Sequence, residues 1–105
     1  MAETVDESFP SKFLKAEDLK GNQLPVTVVA VQDEEITSGK IKPVMYCQEV
    51  IKGIVLCKTN ARKLAVVFGT GKYADWKGKT ALMYSALVPY QGSEVPAIRF
   101  KRLGE

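Results

Sequence analysis

The stretch KGIVLCKTNARKLAVVFG (residues 52–69) decides the fold, because a strand pattern and a helix pattern follow one another within it. Residues 53–57 (GIVLC) form a short apolar run with β-branched members, which predicts a strand. In residues 60–68, apolar side chains recur at i, i+3, i+4 and i+7, the spacing of one helix face. The segment therefore predicts a strand followed closely by the clearest helix of the chain.

The predicted helix carries signals at both ends. Thr59 or Asn60 can cap its start, because either side chain can accept a hydrogen bond from a free backbone N–H group. Gly69 suits the left-handed conformation that often follows the last helical residue. Earlier in the chain, residues 13–21 are compatible with one helical turn closed by Gly21.

Strand patterns lie on both sides of this helix. The run VTVVAVQ is dense in β-branched residues, and the acidic segment after it, residues 33–40, reads as a hydrophilic connector. After the helix, a loop over residues 70–78 and a turn over residues 89–92 separate two more runs. We therefore predict five strands, at residues 26–32, 42–47, 53–57, 79–87 and 94–102.

The order of three strands, one helix and two strands predicts a mainly β fold. This order is similar to the OB-fold, a five-stranded Greek-key barrel that binds oligonucleotides through strands 2 and 3 and two flanking loops. A small SH3-like barrel is the main alternative, and a helix between the third and fourth strands favours the OB-like barrel. We expect one domain over residues 11–105, preceded by a flexible acidic tail at residues 1–10.

The two cysteines fit structural roles. With a turn near Val50, Cys47 would lie opposite Gly53 and Cys57 opposite Pro43, so the cysteines should not be bonded to each other. Two cysteines without any histidine cannot make a four-ligand zinc site. The chain has no apolar run long enough to cross a bilayer, and its acidic start lacks the features of a signal peptide. We expect a soluble intracellular protein.

The charge of the chain is divided between two parts. Residues 1–39 carry 3 Lys/Arg against 8 Asp/Glu, and residues 40–105 carry 12 against 4, which gives net charges of −5 and +8. A compact region with that cationic excess raises the local concentration of polyanions. Nucleic acid is therefore the first partner to test.

Catalytic and nucleotide motifs are incomplete. Gly78-Lys79-Thr80 resembles the end of a phosphate-binding P-loop, but Tyr73 stands where that loop needs its first glycine. Gly69-Thr70-Gly71 follows a helix instead of a strand, so it does not fit the dinucleotide fingerprint. The chain has no histidine to act as a general base, and we predict that it is not an enzyme and needs no cofactor. The acids of residues 33–35 read as a solvated run whose spacing matches no calcium loop.

One cationic group surrounds the predicted helix start and consists of Lys58, Arg62 and Lys63. A helix N-terminus carries partial positive charge and ordinarily favours acidic residues in its first turn. A bound phosphate would reverse the unfavourable effect of the bases there, because free N–H groups and cations would point toward it. The alternative is that these bases are only a solvated helix face.

A second cationic group comes from the last strand and the loop before strand 4. If Ile98 and Phe100 are buried, then Arg99 and Lys101 must share the opposite, exposed face without an obvious acidic partner. The same group includes the loop lysines Lys72, Lys77 and Lys79.

Aromatic residues accompany these cations, and nucleobases stack on such rings largely regardless of sequence. A lone tryptophan in such a position more often fills the end of a barrel than stacks on a base, so we expect Trp76 to belong to the core. Lys42 and Tyr46 are predicted to face outward on the second strand, where ligands of OB-folds lie. The acidic residues 33–35 argue against binding at the neighbouring loop. The remaining candidate stacking residues are Tyr73, Tyr84 and Tyr90.

Four segments together resemble small phage and prophage proteins of poorly defined function: SKFLKAEDLKG (11–21), KGIVLCKTNARKL (52–64), DWKGK (75–79) and VPAIRFKR (95–102). The resemblance implies an OB-like domain encoded by a phage or an integrated prophage, beside replication or recombination genes. It implies the cytoplasm of a bacterial host as location and brings no catalytic residues.

The leading hypothesis is an OB-like domain that binds single-stranded nucleic acid through the basic, aromatic-bearing face of its second half. The runner-up is a protein-interaction or virion accessory module, whose acidic first part would contact a basic partner or another copy. An enzyme or metal protein comes third.

Overall fold

The computed structural model describes residues 13–37 and 39–104 and is mainly β. The predicted tail at residues 1–10 lies outside the described residues. The described part contains five strands, one α-helix and two short 3₁₀ turns, at Ala16–Leu19 and Tyr73–Trp76. The strands and the helix are β1 (Leu24–Thr37), β2 (Lys40–Cys47), β3 (Ile54–Val55), α1 (Lys58–Phe68), β4 (Thr80–Tyr90) and β5 (Ser93–Lys101). The predicted order of three strands, one helix and two strands is confirmed.

The strands form an open antiparallel sheet in the order β3-β2-β1-β4-β5. β1 lies in the middle because it is shared between two partners: residues 28–37 pair with β2, and residues 24–27 pair with β4. The short β3 and the longer β5 lie at the two open edges. None of the helices in the described ranges is long and apolar enough to cross a membrane.

The acidic segment after the first predicted strand is not a loop, and that prediction is wrong. β1 continues through it to Thr37, with Glu34 opposite Lys42 and Glu35 opposite Ile41. Strand β2 supplies partners to Asp33, Glu34, Glu35 and Thr37, so residues with poor strand propensity are held in the ladder. Opposite charges such as Glu34 and Lys42 are also a favourable cross-strand pair.

The core lies between the sheet, α1 and the second 3₁₀ turn. Trp76 is 0% exposed, and its indole Nε1–H donates a 2.8 Å hydrogen bond to the carbonyl of Thr70. Trp76 is therefore a core plug, as the sequence favours, and not a base-stacking residue. The alternation predicted for the last strand is confirmed for its inward side, because Phe100 is 1% exposed and Ile98 packs against the core.

Helix α1 begins two residues before its predicted start. Cys57 occupies the N-cap position, and no described side chain caps the helix start, so the prediction that Thr59 or Asn60 caps it is wrong. Asn60 instead falls on the inward face, is 4% exposed, and donates a 2.9 Å hydrogen bond from Nδ2 to the carbonyl of Ile98. The predicted C-terminal signal is confirmed, since Gly69 has a left-handed φ of 76°.

The turn between β2 and β3 sets a register that differs from the predicted one. Val44 lies opposite Val55, which is one residue away from the predicted alignment of Cys47 with Gly53. A Cβ on Gly53 would approach Cγ1 of Val44 to 2.5 Å, so only glycine lets this segment cross β2 so closely. The ladder is also shorter than predicted, because β3 contains only two residues, Ile54–Val55.

Glu49 ties the same turn to β1. Its carboxylate accepts hydrogen bonds from the backbone N–H of Thr27 at 2.6 Å and from the Thr27 hydroxyl at 2.9 Å. Desolvation acts to raise the pKa of Glu49, but the hydrogen bonds from Thr27 outweigh it and leave the pKa below its ordinary value. Both cysteines are free thiols; burial, reinforced by the charge of Glu49, raises the pKa of Cys47 to about 12.

Candidate nucleic-acid interface

A cleft of about 370 Å³ lies where β2, the start of α1 and the second 3₁₀ turn meet. Three of the residues predicted to bind nucleic acid, Lys42, Lys58 and Tyr73, come together around it although they are distant in sequence. The other lining residues are apolar or a thiol: Pro43, Leu56, Cys57 and Ala61.

Two contacts shape this cleft. The backbone N–H of Leu56 donates a 2.9 Å hydrogen bond to the carbonyl of Pro43, which holds the chain after β3 against β2. The Tyr73 ring meets the buried Trp76 ring edge-on, with centroids 4.9 Å apart and an interplanar angle of 79°. Because Trp76 is fixed in the core, the partly exposed Tyr73 is held in place at the cleft wall.

The helix start gives the cleft a positive end. Lys58 is the first helical residue, the first turn contains no acid, and the first bond within the helix runs from Ala61 N–H to the Cys57 carbonyl at 2.9 Å. The N–H groups before Ala61 cannot bond within the helix and carry the positive end of its dipole. An anion in the cleft would meet these groups and the Lys58 ammonium together.

Arg99 is less exposed than the strand alternation predicts, and its hydrogen-bond partners are uncharged. It is half-buried, and its Nη1 lies 3.4 Å from Oδ1 of Asn60 and 3.9 Å from Sγ of Cys57. The same nitrogen donates a 2.9 Å hydrogen bond to the carbonyl of Ile98. Arg99 therefore links β5 to the start of α1, because Asn60 turns inward instead of capping the helix.

Lys101 and Tyr84 extend the positive surface along the hairpin of β4 and β5. Tyr84 lies directly opposite Arg99, and the Lys101 ammonium lies 5.1 Å from the centroid of the Tyr84 ring. Such a cation–π contact leaves the positive charge close to an aromatic ring that a nucleobase can also use. We call Lys58, Arg99, Tyr84 and Lys101 the basic band, which is continuous with the cleft through Cys57.

The other predicted basic residues differ in how close they lie to the cleft and the basic band. With about 100° per helical residue, Arg62 lies roughly 40° from Lys58, whereas Lys63 lies roughly 140° away and points to another side. Lys72 is exposed beside Tyr73, so it borders the cleft. Lys77 and Lys79 are exposed, and the contacts within residues 13–37 and 39–104 do not place either lysine with the cleft or the basic band.

Tyr46, predicted to face outward for stacking, is half-buried and lies beside an acidic residue. Its hydroxyl donates a hydrogen bond to the carboxylate of Glu34. That bond, together with burial and the negative charge of Glu34, raises the pKa of Tyr46. Lys42 lies opposite the same Glu34, so the acidic part of β1 offsets part of the positive charge at this pair of predicted binding residues.

Sequence reasoning missed the apolar part of the cleft and the role of Asn60. Pro43, Leu56 and Ala61 read as strand or helix residues, and only the approach of separate elements makes them a cleft. Asn60 carries a usable signal, because an asparagine inside a helix is unfavourable unless its amide has a partner. In the ranges 13–37 and 39–104, no group of three or more Cys, Asp or Glu is arranged to hold a metal ion.

The chain matches no family model, no curated protein and no solved structure. Its function is therefore inferred from the geometry of the cleft and the basic band.

Proposed function

We propose that this protein is a non-catalytic, OB-like domain that binds single-stranded nucleic acid without strong sequence preference. The observation that supports this most is the continuity of the cleft with the basic band. Cys57, which lines the cleft with Lys58 and Tyr73, lies 3.9 Å from Arg99 Nη1. Tyr84 lies opposite Arg99 and carries the Lys101 ammonium over its ring. Cations beside aromatic rings are what a flexible polyanion with exposed bases requires.

The sheet supports an OB-like barrel as the scaffold. The OB-fold is a partly open five-stranded barrel, and here β1 belongs to both halves of a five-stranded sheet. The helix follows β3, and the Asn60 side chain crosses from the helix to β5 at the opposite edge. Closure through a side chain in place of a strand ladder is consistent with a partly open barrel.

The expected affinity is modest and sensitive to salt. If about four phosphates are contacted, the single-strand salt slope is near −3, which is a loss of roughly 60-fold between 50 and 200 mM salt. Stacking on Tyr73 and Tyr84 would add about 1 to 3 kcal/mol per base and would depend little on salt.

A fluorescence titration tests the proposal. Trp76 is the only tryptophan, and its ring touches that of Tyr73 at the cleft wall, so a bound base should change its emission. Oligothymidylate added at 50 mM salt should give a saturable change that weakens strongly at 200 mM. A duplex of the same length is the control and should bind more weakly. An unchanged signal, together with unchanged anisotropy of a labelled oligonucleotide at low salt, would contradict the proposal.

The resemblance to phage and prophage proteins extends the proposal to biology. It supports a role as an accessory factor of phage replication or recombination in the cytoplasm of the bacterial host. The four segments quoted above include Lys58 and Ala61 of the cleft and Arg99 and Lys101 of the basic band.

A protein-interaction module is the second candidate, and the end of the β1–β2 ribbon favours it. Asp33 and Glu35 are exposed there, and Ile41 is 70% exposed on the strand opposite Glu35. An acidic ribbon with an exposed apolar side chain suits a basic partner or the basic band of another copy. Mass measurement at low and high salt tests this, since salt-sensitive dimers without oligonucleotide binding would favour it over the leading proposal.

The edges of the β4–β5 hairpin argue against association by strand pairing. Its two-residue turn, Gln91-Gly92 with φ of 49° and 80°, makes Tyr90 and Ser93 a hydrogen-bonded pair. The alternation along each strand then directs Pro89 and Pro96 toward the open edges, where a proline cannot donate a hydrogen bond. Contacts between copies would therefore use side chains and not an extended sheet.

A further inference from the structure

We propose that the cleft holds one unpaired nucleotide of the bound strand, with the base between Tyr73 and the apolar lining and the phosphate between Lys42 and Lys58. This inference rests on the proposed function and adds a defined site to it. The polymer would then be held in two ways: by one inserted base at the cleft and by charge along the basic band.

The size and lining of the cleft fit such an occupant. Its volume of about 370 Å³ is at the lower end of the range for small-molecule sites, which is suitable for one base with its sugar. Pro43, Leu56 and Ala61 give it an apolar wall, and Tyr73 adds an aromatic edge. An apolar, aromatic wall suits the flat faces of a base better than it suits a hydrated acidic side chain.

The positive charges at the cleft rim suit the phosphate of such a nucleotide. Lys42 and Lys58 are both exposed at the cleft, and its lining, drawn from the described residues, contains no acid. The uncapped start of α1 lies at the same place, since Cys57 and Lys58 are its N-cap and first residue. A phosphate bound there would meet two ammonium groups and the positive end of a helix.

The apolar lining of the cleft also implies selectivity for unpaired bases. A base can enter only if it leaves its stack and its pairing partner, which costs least in single strands, bulges and mismatches. The cleft would therefore favour single-stranded over duplex nucleic acid, whereas the basic band alone would attract both.

Filling the cleft tests the inference on the protein side. Ala61→Leu adds volume inside the cleft without changing any charge, and Thr59→Leu makes a similar change at an exposed position of the same helical turn outside the lining. With a short oligothymidylate, Ala61→Leu should weaken binding about tenfold, which corresponds to about 1.4 kcal/mol, and Thr59→Leu should change it less than twofold. Equal affinity of the Ala61→Leu variant and the unchanged protein would overturn the inference.

A change in the ligand gives the same test without any variant. An oligomer of abasic deoxyribose phosphates keeps the charge but has no base to insert, so it should bind the unchanged protein about tenfold more weakly than oligothymidylate of equal length. Equal binding of the two oligomers would overturn the cleft inference and leave the proposed function standing. Binding of neither at low salt would overturn both.

Discussion

Two tyrosines on either side of the central strand β1 show how the same residue type acquires opposite surroundings. Tyr46 on β2 donates its hydroxyl proton to Glu34, whereas Tyr84 on β4 carries the Lys101 ammonium over its ring. Both read from the sequence as stacking platforms for nucleobases. Their neighbours differ in charge: Tyr46 lies beside a carboxylate, which would repel a phosphate, and Tyr84 lies beside an ammonium, which would attract one.

This difference shows that acidic and basic regions stay separate in the folded protein, although not along the division seen in the sequence. The acidic residues of β1 pair with β2, where Glu34 offsets part of the charge of Lys42 and accepts the hydrogen bond of the Tyr46 hydroxyl. The cations at β5 and the start of α1 form the basic band. The binding proposal therefore predicts different outcomes for matched changes in the two regions.

The largest effect is expected for Asn60→Ala, which breaks the framework of the Tyr84 region. Asn60 is buried and joins α1 to the carbonyl of Ile98 and to Arg99. Its loss should lower the free energy of unfolding by about 2 kcal/mol, because a buried hydrogen-bonding group loses its partner. Chemical denaturation measures this, and Asn22→Ala, at an exposed asparagine, should change it by less than about 0.5 kcal/mol.

Charge reversal within the basic band should produce the next largest effect. Lys101→Glu removes a cation from Tyr84 and places a carboxylate on the path of the strand, so oligonucleotide affinity at 50 mM salt should fall at least about tenfold. The salt slope should also become shallower by roughly one unit. Lys63→Glu makes the same change in net charge on the other side of α1 and should cost no more than about twofold. Equal losses of affinity for both variants would mean that binding depends on the net charge of the protein and not on the basic band.

Removing each ring compares the two tyrosines directly. Tyr84→Leu should weaken oligonucleotide binding about fivefold, because stacking on one ring contributes about 1 kcal/mol. Tyr46→Leu should leave binding within about twofold and lower stability instead, since the Tyr46 ring lies against Gly53 and its hydroxyl is bonded to Glu34. A larger binding loss for Tyr46→Leu than for Tyr84→Leu would break the comparison.

The smallest effect is expected for Glu34→Gln, which removes a negative charge beside Tyr46 and so makes this region more like the one around Tyr84. Neutralising Glu34 frees Lys42 from its acidic neighbour and should raise oligonucleotide affinity about twofold, by about 0.4 kcal/mol. The pKa of Tyr46 should fall toward its ordinary value of 10.0, because both the charge and the strong acceptor that raise it are gone. Ultraviolet titration of tyrosinate measures this shift, and Glu35→Gln should leave the pKa of Tyr46 unchanged.

The order of strands and helix could be predicted from sequence because the signals are local. The β-branched run at the start of β1 and the apolar spacing of α1 each lie within a few residues. The inward position of Phe100 follows equally from alternation along one strand.

The parts that could not be predicted depend on contacts between distant residues. Glu34 joins the strand ladder only because Lys42 supplies a partner after the turn, and the one-residue shift at Val44 depends on the close approach of Gly53. Arg99 receives its partner from Asn60, a residue 39 positions away on another element. No local pattern shows such a contact before the chain is folded.

Backbone amide chemical shifts, followed by NMR while a short oligothymidylate is added at low salt, test most directly whether the cleft and the basic band form one binding surface. The shifts should move together at Lys58, Ala61, Tyr73, Tyr84, Arg99 and Lys101, with little change at Glu34, Tyr46 and Lys63. Changes centred on the β1–β2 ribbon, or scattered evenly over all the lysines, would contradict the existence of a single continuous surface.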